Sequence, residues 1–177
     1  MHCSDNVSRR AFLAGGMLAS CLPWQIPSIA AQQETPSYSI CAFVKFLQTL
    51  SYDVLAEKLA ALGFQGIEAT IRDRGQVLPE QATEELPKLV EALRRCQLDV
   101  TIMASSIQRV DQPLTEQLLR TAASLGIRRY RMAYYRYDLD RPIMPQLEAL
   151  RPVVRELAAL NKELGIAAVY QLSLIHI

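Results

Sequence analysis

Three joints constrain this chain more than any other feature. Leu62-Gly63-Phe64, Leu125-Gly126-Ile127 and Leu164-Gly165-Ile166 each set a glycine between an amphipathic stretch and a short apolar run. A glycine in that place is suited to the left-handed conformation that closes a helix. The apolar run after each glycine reads as a strand. The strand–helix unit recurs about every 25–40 residues, the size of a βα module. Strict alternation of this kind implies an α/β chain with a parallel sheet covered by helices.

The pattern predicts strands over 40–46, 66–71, 100–104, 127–135 and from 166 to 171. Ser51 can cap a helix whose Leu55, Leu59 and Leu62 fall on one face. A second helix, punctuated by Pro79 and Pro87, is lined by Leu86, Leu89, Val90 and Leu93. A third carries Leu114, Leu118, Leu119, Ala122 and Leu125, and a long fourth carries Leu147, Leu150, Val154, Leu157 and Leu164. Two folds suit this alternation: an open doubly wound sheet and an eight-stranded barrel. The first strand, Ala42 to Leu47, has no glycine in it or directly after it. Without a Gly-rich phosphate fingerprint, a dinucleotide-binding sheet is disfavoured.

The first residues carry a different message. Arg9-Arg10, within Ser8-Arg9-Arg10-Ala11-Phe12-Leu13, reads as a twin-arginine export signal. The apolar run from Ala11 to Leu22, broken by Gly15 and Gly16, is too short for a permanent membrane span. Ser28-Ile29-Ala30 supplies small residues for cleavage after Ala30. Leu18-Ala19-Ser20-Cys21 offers an alternative, a lipoprotein box in which Cys21 becomes a lipidated N-terminus. The expectation is a leader over 1–30, a linker over 31–38 and a folded domain over 39–171. The partner is the twin-arginine export machinery, the destination the periplasm or cell envelope, and membrane contact comes only through the leader or a lipid anchor.

Composition narrows the rest. A net charge of +1 gives no electrostatic footprint for nucleic acid, and 50% hydrophobic residues exclude a disordered tail. Of four cysteines, only Cys41 and Cys96 lie beyond the leader, too few for a disulfide scaffold. Folding in a reducing cytoplasm before export argues against a bridge between them.

With these elements in place the chain resembles the sugar phosphate isomerase/epimerase family, the xylose-isomerase-like barrels. The resemblance rests on Lys45-Phe46 closing the first strand and on Leu62-Gly63-Phe64-Gln65-Gly66-Ile67-Glu68 leading into the second. The loop Arg72 to Glu80 and the stretch Tyr130-Arg131-Met132-Ala133-Tyr134-Tyr135 are similar too. The resemblance implies a (β/α)8 TIM barrel, a small carbohydrate-like substrate, and isomerisation or epimerisation. It also implies a divalent metal: manganese, magnesium, cobalt or zinc. A complete barrel takes ~250 residues, and only about four and a half βα units are readable here. The expectation is therefore a C-terminally truncated, inactive barrel whose metal ligands lie on later strands. The tail 172–177, ending Ile175-His176-Ile177, reads as translated adapter sequence rather than a family strand; the alternative is a genuine apolar strand. Read as adapter sequence, the tail makes His176 no ligand candidate; read as a genuine strand, its lone histidine is more often structural.

Barrel sites form at the C-terminal ends of strands, and that rule selects candidates. Lys45 could hold a substrate hydroxyl or stabilise an enediolate oxygen, or simply snorkel at the rim. Glu68, alone among Ile67, Ala69, Thr70 and Ile71, is the candidate catalytic carboxylate and a substrate ligand; it could equally form a buried ion pair with Lys45 or Arg131. Arg72 could bind a carboxylate or phosphate or be a solvated loop cation, with Arg74 the weaker choice, and Gly75 lets their loop turn. The two-residue period puts Arg131 and Tyr135 on one strand face, Met132 and Tyr134 on the other, with the first pair assigned to the site. Arg128-Arg129 reads as a solvated strand entrance at the barrel bottom. The chemistry implied is metal-assisted proton transfer next to a carbonyl. A non-catalytic carbohydrate-binding barrel and a sugar lyase or dehydratase remain alternatives. A DNA-cleaving barrel is disfavoured by charge and export.

Overall fold

The computed structural model describes residues 38–172. Arg9, Arg10, Cys21, the cleavage site at Ala30, nearly all of the linker and the tail beyond Leu172, His176 included, lie outside the described residues. Among the described residues five strands and four helices alternate: β1 (Cys41–Phe43), α1 (Tyr52–Ala61), β2 (Gly66–Ile71), α2 (Ala82–Arg95), β3 (Asp99–Ser105), α3 (Thr115–Ser124), β4 (Arg129–Arg131), α4 (Ile143–Leu164) and β5 (Ala167–Val169). Short 3-10 turns over Lys45–Leu47 and Pro79–Gln81 precede α1 and α2.

The three glycine joints close helices as expected, and a fourth joint does the same without glycine. At the end of α1, Gly63 sits at φ +82° while Phe64 N–H donates to Leu59 O and Gly63 N–H to Ala60 O. This pair of bonds satisfies helix-end carbonyls that would otherwise be orphaned. Gly126 and Gly165 repeat the conformation after α3 and α4. After α2 the same bonds run from Leu98 N–H to Leu93 O and from Gln97 N–H to Arg94 O. There the left-handed residue is Gln97, at φ +60°, so the joint carries no glycine to betray it in sequence.

The strand order is β1-β2-β3-β4-β5, every pair parallel. This order decides between the two candidate folds. Each strand follows its sequence neighbour in the same direction, so right-handed crossovers lay all four helices on one face. A doubly wound sheet reverses its order and covers both faces. The helix side holds the core: Ile67, Ala69 and Ile71 of β2, Met103 of β3 and Tyr130 of β4 pack beneath Leu55, Leu59, Leu86, Leu89, Leu93, Leu119 and Leu157. Asn161 on α4 accepts a hydrogen bond at 3.1 Å from the Tyr130 hydroxyl and so ties that helix to β4. Burial pushes the Tyr130 phenol up to about 12. Cys41 and Cys96 are unbridged. No helix among the described residues is long and apolar enough to cross a membrane.

Several expectations change. β2 has the bounds expected from sequence, but β1 and β4 are three residues each, because parallel pairing stops where the chain turns away. Leu62 lies just past the end of α1 and is 73% exposed rather than on its buried face. Leu147 and Val154 of α4 are exposed too; of the expected face, Leu157 is the one fully buried. Gly75 is needed for close approach rather than for turning: a Cβ there would lie 2.4 Å from Thr70 O, while Arg74 takes the left-handed conformation at φ +55°.

Candidate functional site

On β2 the alternation that buries Ile67, Ala69 and Ile71 under the helices turns Glu68 and Thr70 to the opposite, concave face. Paired residues of a parallel ladder share a face. One row therefore reads Phe43, Glu68 and Ile102 across β1, β2 and β3. The next reads Thr70, Ala104, Arg131 and Val169 across β2 to β5. Ala104, small and buried, stands between Arg131 and β2. Its short side chain leaves the guanidinium a path across β3.

Arg131 takes that path. Its Nη2 lies 2.7 Å from Glu68 Oε1, and both side chains are only 19% exposed. Its guanidinium carbon sits 5.5 Å from the centre of the Phe43 ring, a cation–π distance. Its Nη1 donates to Gln171 Oε1, just past β5, and the Tyr134 hydroxyl donates to the same oxygen at 3.2 Å. One cation thus links residues of β1, β2, β4 and the end of β5. The contact with Glu68 is close but off the hydrogen-bond direction, so the sealed Oε1 has no aligned donor among the described residues. A half-satisfied buried carboxylate is costly to a fold, and functional sites are where such costs are found.

Above this row Gln76 clasps the loop after β2 to the end of β1. Thr70 N–H donates to Gln76 Oε1 at 3.0 Å, Gln76 N–H donates to Thr70 Oγ1 at 3.1 Å, and Gln76 Nε2 donates to Val44 O. Ser105 Oγ donates to Arg131 O at 3.0 Å and accepts from Ile107 N–H at 3.3 Å, fixing the end of β3 against β4.

The candidates from sequence divide. Glu68 and Arg131 come together, which selects Arg131 over Lys45 as the carboxylate's partner. Lys45 is exposed and lies in the 3-10 turn after β1 rather than in the strand. Arg72 is half-buried at the end of β2 and forms no ion pair among the described residues. Arg74 is exposed, and its carbonyl accepts from Gln48. Arg128 and Arg129 are exposed at the N-terminal end of β4, as expected.

Tyr135 requires a correction. It does not share the side of Arg131. Its ring stacks on Tyr170 with centroids 6.0 Å apart, its N–H donates to the Tyr170 hydroxyl at 3.1 Å, and its hydroxyl donates to Gln108 O. With Met132, Tyr137, Leu147 and Val154 it lines a cavity of about 440 Å³ against α4. Burial pushes its phenol up. Tyr134 is the tyrosine that joins Arg131, through Gln171. The two-residue period fails here because β4 ends at Arg131, so the chain beyond it slips by one residue.

Sequence reasoning missed Gln171, Phe43, Ala104 and Gln76. Gln171 stands at the end of an apolar run, where the strand-end rule could have found it; the others depend on register. No group of three or more metal-ligating side chains converges among the described residues, and Glu68 is already held by Arg131. The described residues therefore do not assemble a divalent-metal site.

No protein-family model and no curated protein matches the chain. Solved structures do. A candidate xylose isomerase from Rhodospirillum rubrum ATCC 11170 superposes with a TM-score of 0.55 at 16% identity, over 74% of this chain and 52% of that one. A xylose isomerase domain containing protein from Salmonella typhimurium LT2 gives 0.54 at 16% identity, over 73% of this chain and 47% of that one. The fold is that of the xylose isomerase-like TIM barrels. The chain spans about half the length of these solved structures. The four βα units and fifth strand form a sector of such a barrel. Glu68 and Arg131, from adjacent rows of the concave face, meet on the side of the sheet that faces a barrel's interior.

Proposed function

We propose that this chain belongs to an exported sugar isomerase or epimerase that moves a proton next to a carbonyl. The observation that carries the reading is the Glu68–Arg131 pair on the concave face of a barrel-ordered sheet, extended to Gln171 and Tyr134 at the strand ends. The xylose isomerase-like fold of the solved neighbours supports it at the level of fold.

In this reading Glu68 accepts the proton from the carbon beside the substrate carbonyl. The electron pair moves onto the carbonyl oxygen, and the resulting enediolate lies beside the Arg131 guanidinium. Return of the proton by Glu68 to the former carbonyl carbon, with the neighbouring hydroxyl's proton passing to the former carbonyl oxygen, isomerises the sugar; epimerisation requires the proton to come back on the opposite face from a second acid or water. A divalent metal would polarise the carbonyl, but the described residues do not build its site; proton abstraction and support of the enediolate are the parts assigned to Glu68 and Arg131. Export by the twin-arginine route to the periplasm or cell envelope is part of the proposal, carried by Arg9 and Arg10; Arg9→Lys/Arg10→Lys should keep the protein in the cytoplasmic fraction.

The test is proton exchange. The full chain is incubated with D-fructose in deuterated water, with manganese, magnesium, cobalt or zinc supplied in turn. Loss of the proton signal beside the carbonyl, abolished by Glu68→Gln, supports the reading. A second reading, a non-catalytic carbohydrate-binding barrel, is favoured by the prior engagement of Glu68 with Arg131. It predicts saturable binding of the ketose with no exchange under any metal. A lyase or dehydratase would share the enediolate but release water or a fragment, visible in the same spectra.

A further inference from the structure

The orientation of Gln171 is dictated by chemistry. The oxygen and nitrogen of a glutamine amide are told apart by their partners. A guanidinium has only N–H donors, so the atom facing Arg131 has to be the amide oxygen. The Tyr134 hydroxyl reaches the same oxygen, which uses both of its lone pairs. The amide nitrogen consequently points away from Arg131 with two N–H groups, and Nε2 has no partner among the described residues. Arg131 is itself held by Glu68 and the Phe43 ring. The chain Glu68–Arg131–Gln171 therefore fixes a paired donor at the C-terminal end of β5, on the side where the carboxylate stands.

We propose that Gln171 is a substrate-binding and specificity residue, whose amide N–H groups donate to a carbonyl or hydroxyl oxygen of an uncharged sugar held over Glu68. This rests on the sugar reading above. The arrangement selects for an acceptor oxygen at that end of the substrate. A ligand presenting a donor or a methyl group there leaves the amide unpaired, and an unpaired polar group is what gives hydrogen-bonding sites their discrimination.

The experiment is a titration of the full ¹⁵N-labelled chain with D-fructose, alongside Gln171→Glu and Gln171→Ala. Gln171→Glu keeps an acceptor for Arg131 and Tyr134 while removing the N–H donors and adding a negative charge; Gln171→Ala removes the donors without adding that charge. The expected result is a shift of the Gln171 side-chain amide signals on binding, and at least ~10-fold weaker binding in both variants. Melting temperature should change little, because the residue is exposed. Wild-type binding with Gln171→Glu and Gln171→Ala equally tight, or with unmoved amide signals, overturns the role of Gln171 and leaves the sugar reading standing. Absence of ketose binding by the wild type overturns both.

Discussion

The Glu68–Arg131 pair predicts an asymmetry that is simple to measure. Its two members are not equally replaceable. Arg131 has three partners: Glu68, the Phe43 ring and Gln171. Among the described residues, Glu68 Oε1 has only Arg131 within reach. Arg131→Met therefore strands a carboxylate that is 19% exposed, and stranding a buried charge costs about 3 kcal/mol. Glu68→Gln leaves the guanidinium on Phe43 and Gln171 and costs about 1 kcal/mol. In the double variant Glu68→Gln/Arg131→Met no charge is stranded, so its cost should fall below that of Arg131→Met alone, to about 2 kcal/mol. Urea denaturation followed by far-ultraviolet circular dichroism resolves these steps. With a slope of about 2 kcal/mol per molar urea, the two single variants should differ by about 1 M in midpoint. Equal midpoints, or a double variant that loses the sum of both single losses, would refute the argument that Arg131 is the sole support of Glu68.

The joints and the core supply two further predictions. Gln97 occupies the left-handed position that glycine holds at the other three joints, so Gln97→Gly should raise stability by about 0.5–1 kcal/mol, read as a higher melting temperature; a lower one would mean that the Gln97 side chain contributes contacts outweighing its strain. Tyr52 and Tyr130 both have phenols pushed up to about 12, chiefly by burial and, for Tyr52, also by the Glu85 carboxylate. Raised folded values mean stability that is fully present below pH 10 and is lost as pH climbs from 10 toward 12; absorbance at 295 nm should show late-titrating tyrosines, one fewer in Tyr130→Phe.

Much of the fold was legible along the chain. Gly63, Gly126 and Gly165 announce helix ends because the sign of φ they permit is a property of the residue itself. Ile67, Ala69 and Ile71 announce the buried face of β2 because a strand's period is local. Glu68 was conspicuous for the same reason, as the one charge in an apolar run. The site was less legible. Tyr135 was placed with Arg131 by a period that holds only while the strand lasts, and β4 lasts three residues. Gln97 closes a helix without the residue type that signals it.

By itself the sequence determined the alternation of strands and helices, the three glycine joints and the buried face of β2. Each of these comes from φ preference or apolar spacing within a few residues. Tertiary structure decided the rest. The strand order ruled out a doubly wound sheet, and Glu68 paired with Arg131 rather than Lys45. Gln171 entered the site as the second partner of that arginine. Those outcomes depend on register between strands distant in sequence. Register is fixed by how the helices pack on the sheet as a whole, so no window of neighbouring residues contains it.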